Sequence, residues 1–304
     1  MNLHYLISFW AILIAQCAVP VFTQGETQKS SSAALPIECR KIQELFAAFP
    51  EPQPGDWQYQ QKEKKQTFRQ YQLAKPTRVT KQRNVLFIQI LGDIAQEQQE
   101  IVQKTADYLS LFFNLKVETL PPMSRQVVPF SARRIHPELG VRQLNATYIV
   151  SEILAPRLPK NAAGYMAFTA EDLYPGDGWN FCFGLALYRQ RVGVWSLARN
   201  GDAADPEQKK QVLRRTIRIA SHELGHIFSL PHCVLYHCNM NGANSMEEAD
   251  GTPLEYCPEC LAKLKYACPI QFRDRWTKLK EFYQSNGLEE EAQFIDRLLN
   301  ATSK

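Results

Sequence analysis

Four residues in the C-terminal half have the types and spacing of a catalytic zinc site. His222 and His226 are four residues apart in a segment with helical periodicity, so both imidazoles would share one helix face, with Glu223 beside them. A catalytic zinc usually has three protein ligands and a water molecule. His232 follows six residues after His226, and Pro231 cannot continue a helix, so the chain can bend back and supply the third ligand. The metal would acidify the water, and Glu223 would take its proton and pass it to a leaving amine.

A second group of metal-binding residue types follows directly. Cys233 and Cys238 precede Cys257 and Cys260, and the last two form a CxxC pair. Two cysteine pairs are typical of a closed structural zinc site, which leaves no ligand position for water. In an oxidising compartment the alternative is two disulfides. Zinc is favoured because CxxC makes a strained structural disulfide, and the site would fix the segment that carries His232.

Several nearby residues have simpler explanations. An HExxH motif alone also occurs by chance, and the third histidine at this spacing is what favours zinc. His237 lies between two cysteines, and we expect a surface residue rather than a ligand. Cys39, Cys182 and Cys268 are an odd number, so at least one is expected to be a free thiol, and Cys182 lies in an apolar run typical of a buried site.

Composition excludes several classes of protein. The chain has 304 residues with 45% hydrophobic and 22% charged residues, which are ordinary globular values. Its net charge of +4 is too small to indicate a nucleic-acid-binding protein. Residues 57–83 carry eight Lys/Arg against a single acid, Glu63, and four aromatic residues. A nucleic-acid or membrane arm is one interpretation, and a solvated extension that packs its aromatic side chains on the core is the favoured one.

The N-terminus resembles an export signal. Residues 3–15 are apolar, and small and polar residues follow. We expect a secreted or periplasmic protein; an uncleaved N-terminal membrane anchor and lipidation of Cys17 are the alternatives. The expected organisation is a signal or anchor (1–24), a polar and basic extension (25–83), a catalytic domain (84–268) and a helical tail (269–304).

Strand and helix patterns alternate along the chain. Predicted strands are residues 85–91, 115–120, 164–169, 181–188 and 192–197. Predicted helices are residues 37–49, 96–113, 144–158 and 206–230, with two more pieces in 269–300. Pro121-Pro122 is predicted to end the second strand. This order indicates an α/β or α+β fold with one mixed sheet.

The metal-binding residues stand in a longer pattern that resembles the archaemetzincins, a branch of the metzincin metalloproteases. The pattern is HELGHIFSLPHC, then Cys-Asn-Met four residues later, then CPEC. Upstream, EDLYP, WNF, FG and RVGVWSLAR also match that family. The resemblance covers about residues 84–268.

This resemblance implies a compact α/β (α+β) zincin domain with a mixed twisted sheet, an active-site helix and a small helical C-terminal part. It implies Glu223 as general base and acid, and Met240 as the hydrophobic floor beneath the metal. It also implies two zinc ions, one catalytic and one structural. Their ligands would be His222, His226 and His232 for the first and Cys233, Cys238, Cys257 and Cys260 for the second.

One position departs from the family pattern. Archaemetzincins have glycine three residues after the second histidine, where this chain has Ser229. Glycine there ends the helix in a left-handed conformation, which costs serine about 1–2 kcal/mol. The departure bears on geometry or activity rather than on zinc binding.

The function expected from these residues is a zinc-dependent peptidase. Its partner would be a peptide or protein substrate, laid along an edge strand that we place at residues 164–169. We expect a monomer with no nucleic-acid partner and no membrane contact beyond an N-terminal anchor. Two alternatives are a catalytically weak or inactive zinc-binding scaffold of the same fold and a hydrolase of non-peptide amides. Retention of Glu223 favours catalysis.

Overall fold

The computed structural model describes residues 35–303. The predicted signal or anchor, residues 1–24, lies outside this range, as do residues 25–34 of the polar and basic extension. Within 35–303, no helix combines the length and apolar character needed to span a bilayer.

The strands of this part of the chain form two sheets. Their bounds are β1 Val85–Leu91, β2 Lys116–Met123, β3 Arg133–Ile135, β4 Arg142–Asn145, β5 Ala162–Thr169, β6 Asp172–Tyr174, β7 Gly184–Leu187 and β8 Val192–Ser196. The larger sheet has the order β2-β1-β5-β8-β7 and the smaller one β3-β4-β6. Neighbours in the larger sheet are parallel except β7, which runs antiparallel to β8. The predicted mixed sheet is therefore confirmed, but the expectation of one sheet was wrong, because β3, β4 and β6 form a second sheet.

Helices cover the larger sheet. The α-helices are α1 Ile37–Lys41, α2 Trp57–Gln61, α3 Phe68–Leu73, α4 Gln96–Phe113, α5 Ala146–Tyr148, α6 Lys209–Ile227, α7 Met246–Asp250, α8 Pro258–Ala267, α9 Phe272–Ser285 and α10 Glu289–Thr302. A π-helical stretch, Ile149–Leu154, continues α5. Every residue of β5 and β8 is buried, as expected for strands covered on both faces. Helix α6 packs between α4 and the hairpin of β7 and β8.

Two predictions about strands were wrong. Pro121-Pro122 does not end β2, which continues to Met123. Since β2 is an edge strand, its prolines need not donate to a second neighbour, and the pairing with β1 is irregular at this point. Residues 164–169 do not form an edge strand either. They belong to β5, the central strand, and β7 takes the edge beside α6.

The basic extension packs on the body of the protein. Trp57, Phe68 and Tyr71 are buried, whereas Tyr59 is half exposed. Thr67 begins α3 with a reciprocal capping box to Gln70. The favoured interpretation of this segment is confirmed for three of its four aromatic residues.

The C-terminal tail forms two helices, α9 and α10, as predicted. Arg275 on α9 is buried and pairs with the buried Glu255, with Nη1 and Oε2 2.6 Å apart. Glu255 precedes Cys257 by two residues, so α9 holds the loop that carries the second cysteine pair.

Candidate metal centres

Helix α6 presents the first two histidines. Its apolar positions Val212, Ile217 and Leu224 bury one face, and the last two turns carry His222, Glu223 and His226, which are also buried. Burying three polar side chains at a helix end costs free energy unless each side chain has a partner. Their burial together therefore indicates that they form a site.

The helix ends in a turn that returns the chain to the histidines. Ser229 has a φ of +67°, its N–H donates to the His226 carbonyl at 2.8 Å, and the N–H of Leu230 donates to the Gly225 carbonyl at 2.9 Å. These two bonds are those of a Schellman cap. The left-handed residue expected three positions after the second histidine is therefore present, with serine in it.

The serine side chain has its own partners in the extension. Its Oγ accepts from the backbone N–H of Thr77 at 3.1 Å and donates to Thr77 Oγ1 at 3.3 Å. A glycine could make neither bond. These contacts offset part of the conformational cost and tie the helix end to residues 57–83.

The three histidines converge on one point. Nε2 atoms of His222 and His226 lie 3.1 Å apart, and the ligand atoms of all three lie within 4.8 Å of one another. Two nitrogens bound tetrahedrally to zinc at 2.0–2.1 Å would be separated by about 3.3 Å. Nε2 of His232 is buried and has no hydrogen-bond partner, as expected of an atom reserved for a metal ion.

The opposite nitrogen of each ring is occupied. Nδ1 of His222 donates to the Asn239 carbonyl at 2.8 Å, and Nδ1 of His226 donates to the Leu230 carbonyl at 2.7 Å. A carbonyl only accepts, so both protons are on Nδ1 and both Nε2 lone pairs face the common point. This arrangement of outer partners is typical of metal-bound histidines.

His232 has a different kind of partner. Its Nδ1 lies 2.8 and 3.0 Å from the two carboxylate oxygens of Glu63, a residue of the extension. Sequence reasoning missed Glu63 because 169 residues separate the two. The feature of the sequence that could have identified Glu63 is that it is the single acid among eight basic residues in 57–83.

Burial sets the protonation of the site. It is the main cause that lowers the pKa of His226 to about 3 and that of His222 well below the usual value, and the charges of neighbouring histidines add to it. Both rings are therefore neutral at pH 7, the form that binds a metal. Burial raises the pKa of Glu223 to about 8, against the lowering effect of Arg218. A carboxyl group with this pKa holds a proton at neutral pH, so its carboxylate form is a stronger base than an ordinary glutamate.

The backbone makes room for these groups at two glycines. A Cβ on Gly225 would lie 2.4 Å from Sδ of Met240 and 2.6 Å from Oη of Tyr256. Glycine thus allows α6 to approach the buried Met240 closely. A Cβ on Gly184, the first residue of β7, would lie 3.2 Å from Cγ of Glu223, so the edge strand passes directly beside this carboxyl group.

Four cysteines form the second group. The sulfurs of Cys233, Cys238, Cys257 and Cys260 lie within 4.8 Å of one another and are buried. Those of Cys233 and Cys257 are 3.6 Å apart, close to the ~3.8 Å of two thiolates on a tetrahedral zinc and far from a disulfide bond. Cys257 is the N-cap of α8 and Cys260 lies in its first turn, so the helix start brings the two sulfurs to the same place.

Other sequence candidates lie outside both groups. Among residues 35–303, His237 belongs to neither potential metal site and is partly exposed, as predicted. Cys39, Cys182 and Cys268 are buried free thiols. The prediction that Cys182 is a buried small hydrophobe is confirmed.

Comparisons with known proteins identify the family of this chain. Residues 162–266 match the model of Peptidase family M54. Human archaemetzincin-2 is 30% identical over 90% of this chain and 82% of its own length, and the Pongo abelii archaemetzincin-2 is 31% identical over 78% and 74%. The chain belongs to the archaemetzincin family. The crystal structure of the Methanopyrus kandleri archaemetzincin superposes with a TM-score of 0.50 at 26% identity, covering 62% of this chain and 96% of that one.

Membership of this family has two direct consequences. The chain is a zinc metallopeptidase with an α/β fold, as the sequence indicated. Its histidine and cysteine groups are the residues of the described chain that could hold metal ions. The family-model match does not reach the extension, so Glu63 lies outside it.

Proposed function

We propose that this archaemetzincin hydrolyses peptide bonds with a zinc ion held by His222, His226 and His232 and with Glu223 as general base. The convergence of three buried imidazoles beside a buried carboxyl group carries the proposal. Zinc bound there would lower the pKa of a water molecule and polarise a carbonyl oxygen.

Glu223 would move the proton. It adjoins His222 on α6, and its raised pKa suits a group that accepts a proton from water and then returns it to the leaving amine. The outer hydrogen bonds keep Nδ1 of His222 and His226 protonated, so neither ring competes for this proton.

We propose that the substrate backbone adds to β7. Among the described strands β7 pairs on one side alone, with β8, and Gly184 brings it against Glu223. Because Leu185 and Leu187 lie at hydrogen-bonded positions of the hairpin, the N–H of Ala186 faces the unpaired edge. An Ala186→Pro variant should therefore lower kcat/KM for extended peptides while the zinc content stays unchanged.

We propose a second, structural zinc on the four cysteines. Such a site would cross-link the loop after α6 to the start of α8, and Cys233 would transmit this restraint to its neighbour His232. Zinc content near two atoms per chain, falling to one in Cys257→Ser, would support it, and one atom per chain in the folded wild type would refute it.

We also propose export of the chain, on the apolar character of residues 3–15. N-terminal sequencing of the protein recovered from the producing cells and their medium tests this. A start near residue 18 or 25 in the secreted fraction supports export, and a full-length N-terminus found inside the cells alone refutes it.

Digestion of a diverse peptide library tests the peptidase activity. Zinc-loaded wild type, Glu223→Ala and the exposed control Glu247→Gln would be compared by mass spectrometry. Cleavage by wild type and control, absent in Glu223→Ala, is the expected result. No cleavage by zinc-loaded wild type would favour a non-catalytic zinc-binding scaffold.

A further inference from the structure

We infer that Glu63 is a positioning residue of the catalytic zinc site, and that the extension therefore forms part of this site. This inference rests on the proposed function, since it requires a metal ion on the three histidines. The carboxylate acts on the third ligand, His232, which it contacts with both oxygens.

His232 needs such a partner more than the other two histidines do. His222 and His226 are fixed by the regular backbone of α6, whereas His232 lies in an irregular segment after the helix end. The ring orientation there depends on what surrounds the side chain. Glu63 fixes one edge, and the indole of Trp57 packs edge-on at 5.1 Å between ring centroids.

Glu63 is itself held in position. Its N–H donates to Oε1 of Gln58 at 3.1 Å, and Nε2 of Gln58 donates to its carbonyl at 2.9 Å. Lys62 takes a left-handed conformation with a φ of +49°, which ends α2 and turns the chain toward the site. The carboxylate is therefore presented by a fixed loop and not by a free side chain on a flexible arm.

The helix that carries this loop is anchored on the core. The N–H of Trp57 donates to Oε1 of Glu248 at 3.1 Å, and the buried indole lies against Gly242, where a Cβ would meet it at 2.3 Å. Any larger residue at position 242 would displace Trp57 and remove the packing contact of its indole with the His232 ring. The contacts thus run continuously from the core to the third ligand.

The chemistry of the pair suits a metal ligand. A carboxylate at Nδ1 keeps the proton on that nitrogen and makes Nε2 a stronger donor to a cation than a carbonyl partner would. The Glu63 side chain is 22% exposed and that of His232 is 1% exposed, so the pair is largely shielded from water. The orphaned Nε2 of His232 is the atom whose orientation this contact sets.

The test measures zinc binding by the full-length chain in zinc-buffered solution. Wild type is compared with His222→Ala, which removes the histidine site. The zinc content of wild type minus that of His222→Ala gives the occupancy of the histidine site. Glu63→Ala should raise the free-zinc midpoint of that occupancy about 10- to 100-fold. Glu63→Gln retains an acceptor oxygen of the same reach and should restore part of the affinity.

A matched control lies next to the residue tested. Lys64 is exposed, and Lys64→Gln should leave the zinc midpoint at the wild-type value. Cobalt bound at the histidine site gives a second readout, since its ligand-field absorption reports ligand geometry. The cobalt absorption of Glu63→Ala should differ from that of wild type, and the absorption of Glu63→Gln should be closer to wild type. A merely structural role of Glu63 would not produce this pattern.

The outcomes separate the two claims. The role of Glu63 is overturned if Glu63→Ala has the zinc midpoint and cobalt spectrum of wild type. It is also overturned if Glu63→Gln and Lys64→Gln both have them. Equal zinc content of His222→Ala and wild type at every free-zinc concentration instead overturns the proposed catalytic zinc. If Glu63→Ala does not fold, the nearly isosteric Glu63→Gln against Lys64→Gln decides.

Discussion

Ser229 offers a quantitative test of how the end of the active-site helix is built. It occupies a left-handed position that costs a non-glycine residue about 1–2 kcal/mol, and its hydroxyl makes two hydrogen bonds to Thr77. Each such bond contributes about 0.5–1.5 kcal/mol. The geometry therefore predicts different changes in the free energy of unfolding for substitution by alanine and by glycine.

Ser229→Ala keeps the left-handed strain and loses both hydrogen bonds, so we expect a loss of about 1–2 kcal/mol in the free energy of unfolding. Ser229→Gly loses the same bonds but relieves the strain, against the greater freedom of glycine in the unfolded chain. We expect it to be more stable than Ser229→Ala by about 1 kcal/mol and within about 1 kcal/mol of wild type.

Urea unfolding at a fixed free-zinc concentration measures these differences. With an m-value of about 3 kcal/mol/M, the alanine midpoint should lie roughly 0.5 M below that of wild type, and glycine between them. Equal m-values are needed for the comparison. An alanine variant as stable as wild type, or a glycine variant less stable than alanine, would refute the balance of strain and hydrogen bonding.

Three further predictions concern the buried groups. In metal-free protein, His222 and His226 stay neutral in the folded chain but bind protons in the unfolded chain below pH ~6.5. The free energy of unfolding should therefore fall between that pH and pH 3, by up to ~1.4 kcal/mol per pH unit per histidine. Urea unfolding at a series of pH values measures this, and a flat profile would contradict the lowered pKa values. Gly225→Ala forces a methyl group against Met240 and should cost about 1–3 kcal/mol, seen as a lower urea midpoint; an unchanged midpoint would show that the helix and Met240 do not approach so closely. Chelation should destabilise Cys257→Ser less than wild type by thermal unfolding, because that variant has already lost the structural zinc, and equal losses would argue against metal on the cysteines.

Local spacing was sufficient to predict that the three histidines and the four cysteines would each come together. An i,i+4 pair on an amphipathic helix must share a face, and Pro231 obliges the chain to leave the helix before His232. The CxxC motif begins α8, which places Cys257 and Cys260 together whatever the rest of the fold does. These features depend on few residues and on backbone geometry, which a sequence displays directly.

Long-range placement could not be predicted in the same way. Residues of β5 are apolar at every position, and such a run indicates a buried strand without revealing its neighbours, so its assignment to the edge was wrong. Strands of three or four residues, such as β3 and β6, are too short for a periodic pattern. Glu63 reaches His232 through tertiary packing of α2, and nothing local to either residue encodes that contact.

The rate ratio between wild type and Glu223→Gln tests the central claim most directly. Both proteins would be assayed on the peptide that wild type cleaves fastest, with zinc content measured in the same samples. At equal zinc, we predict a fall in kcat of about 10²- to 10⁴-fold, because the amide cannot accept the proton. Equal rates at equal zinc would contradict Glu223 as the general base.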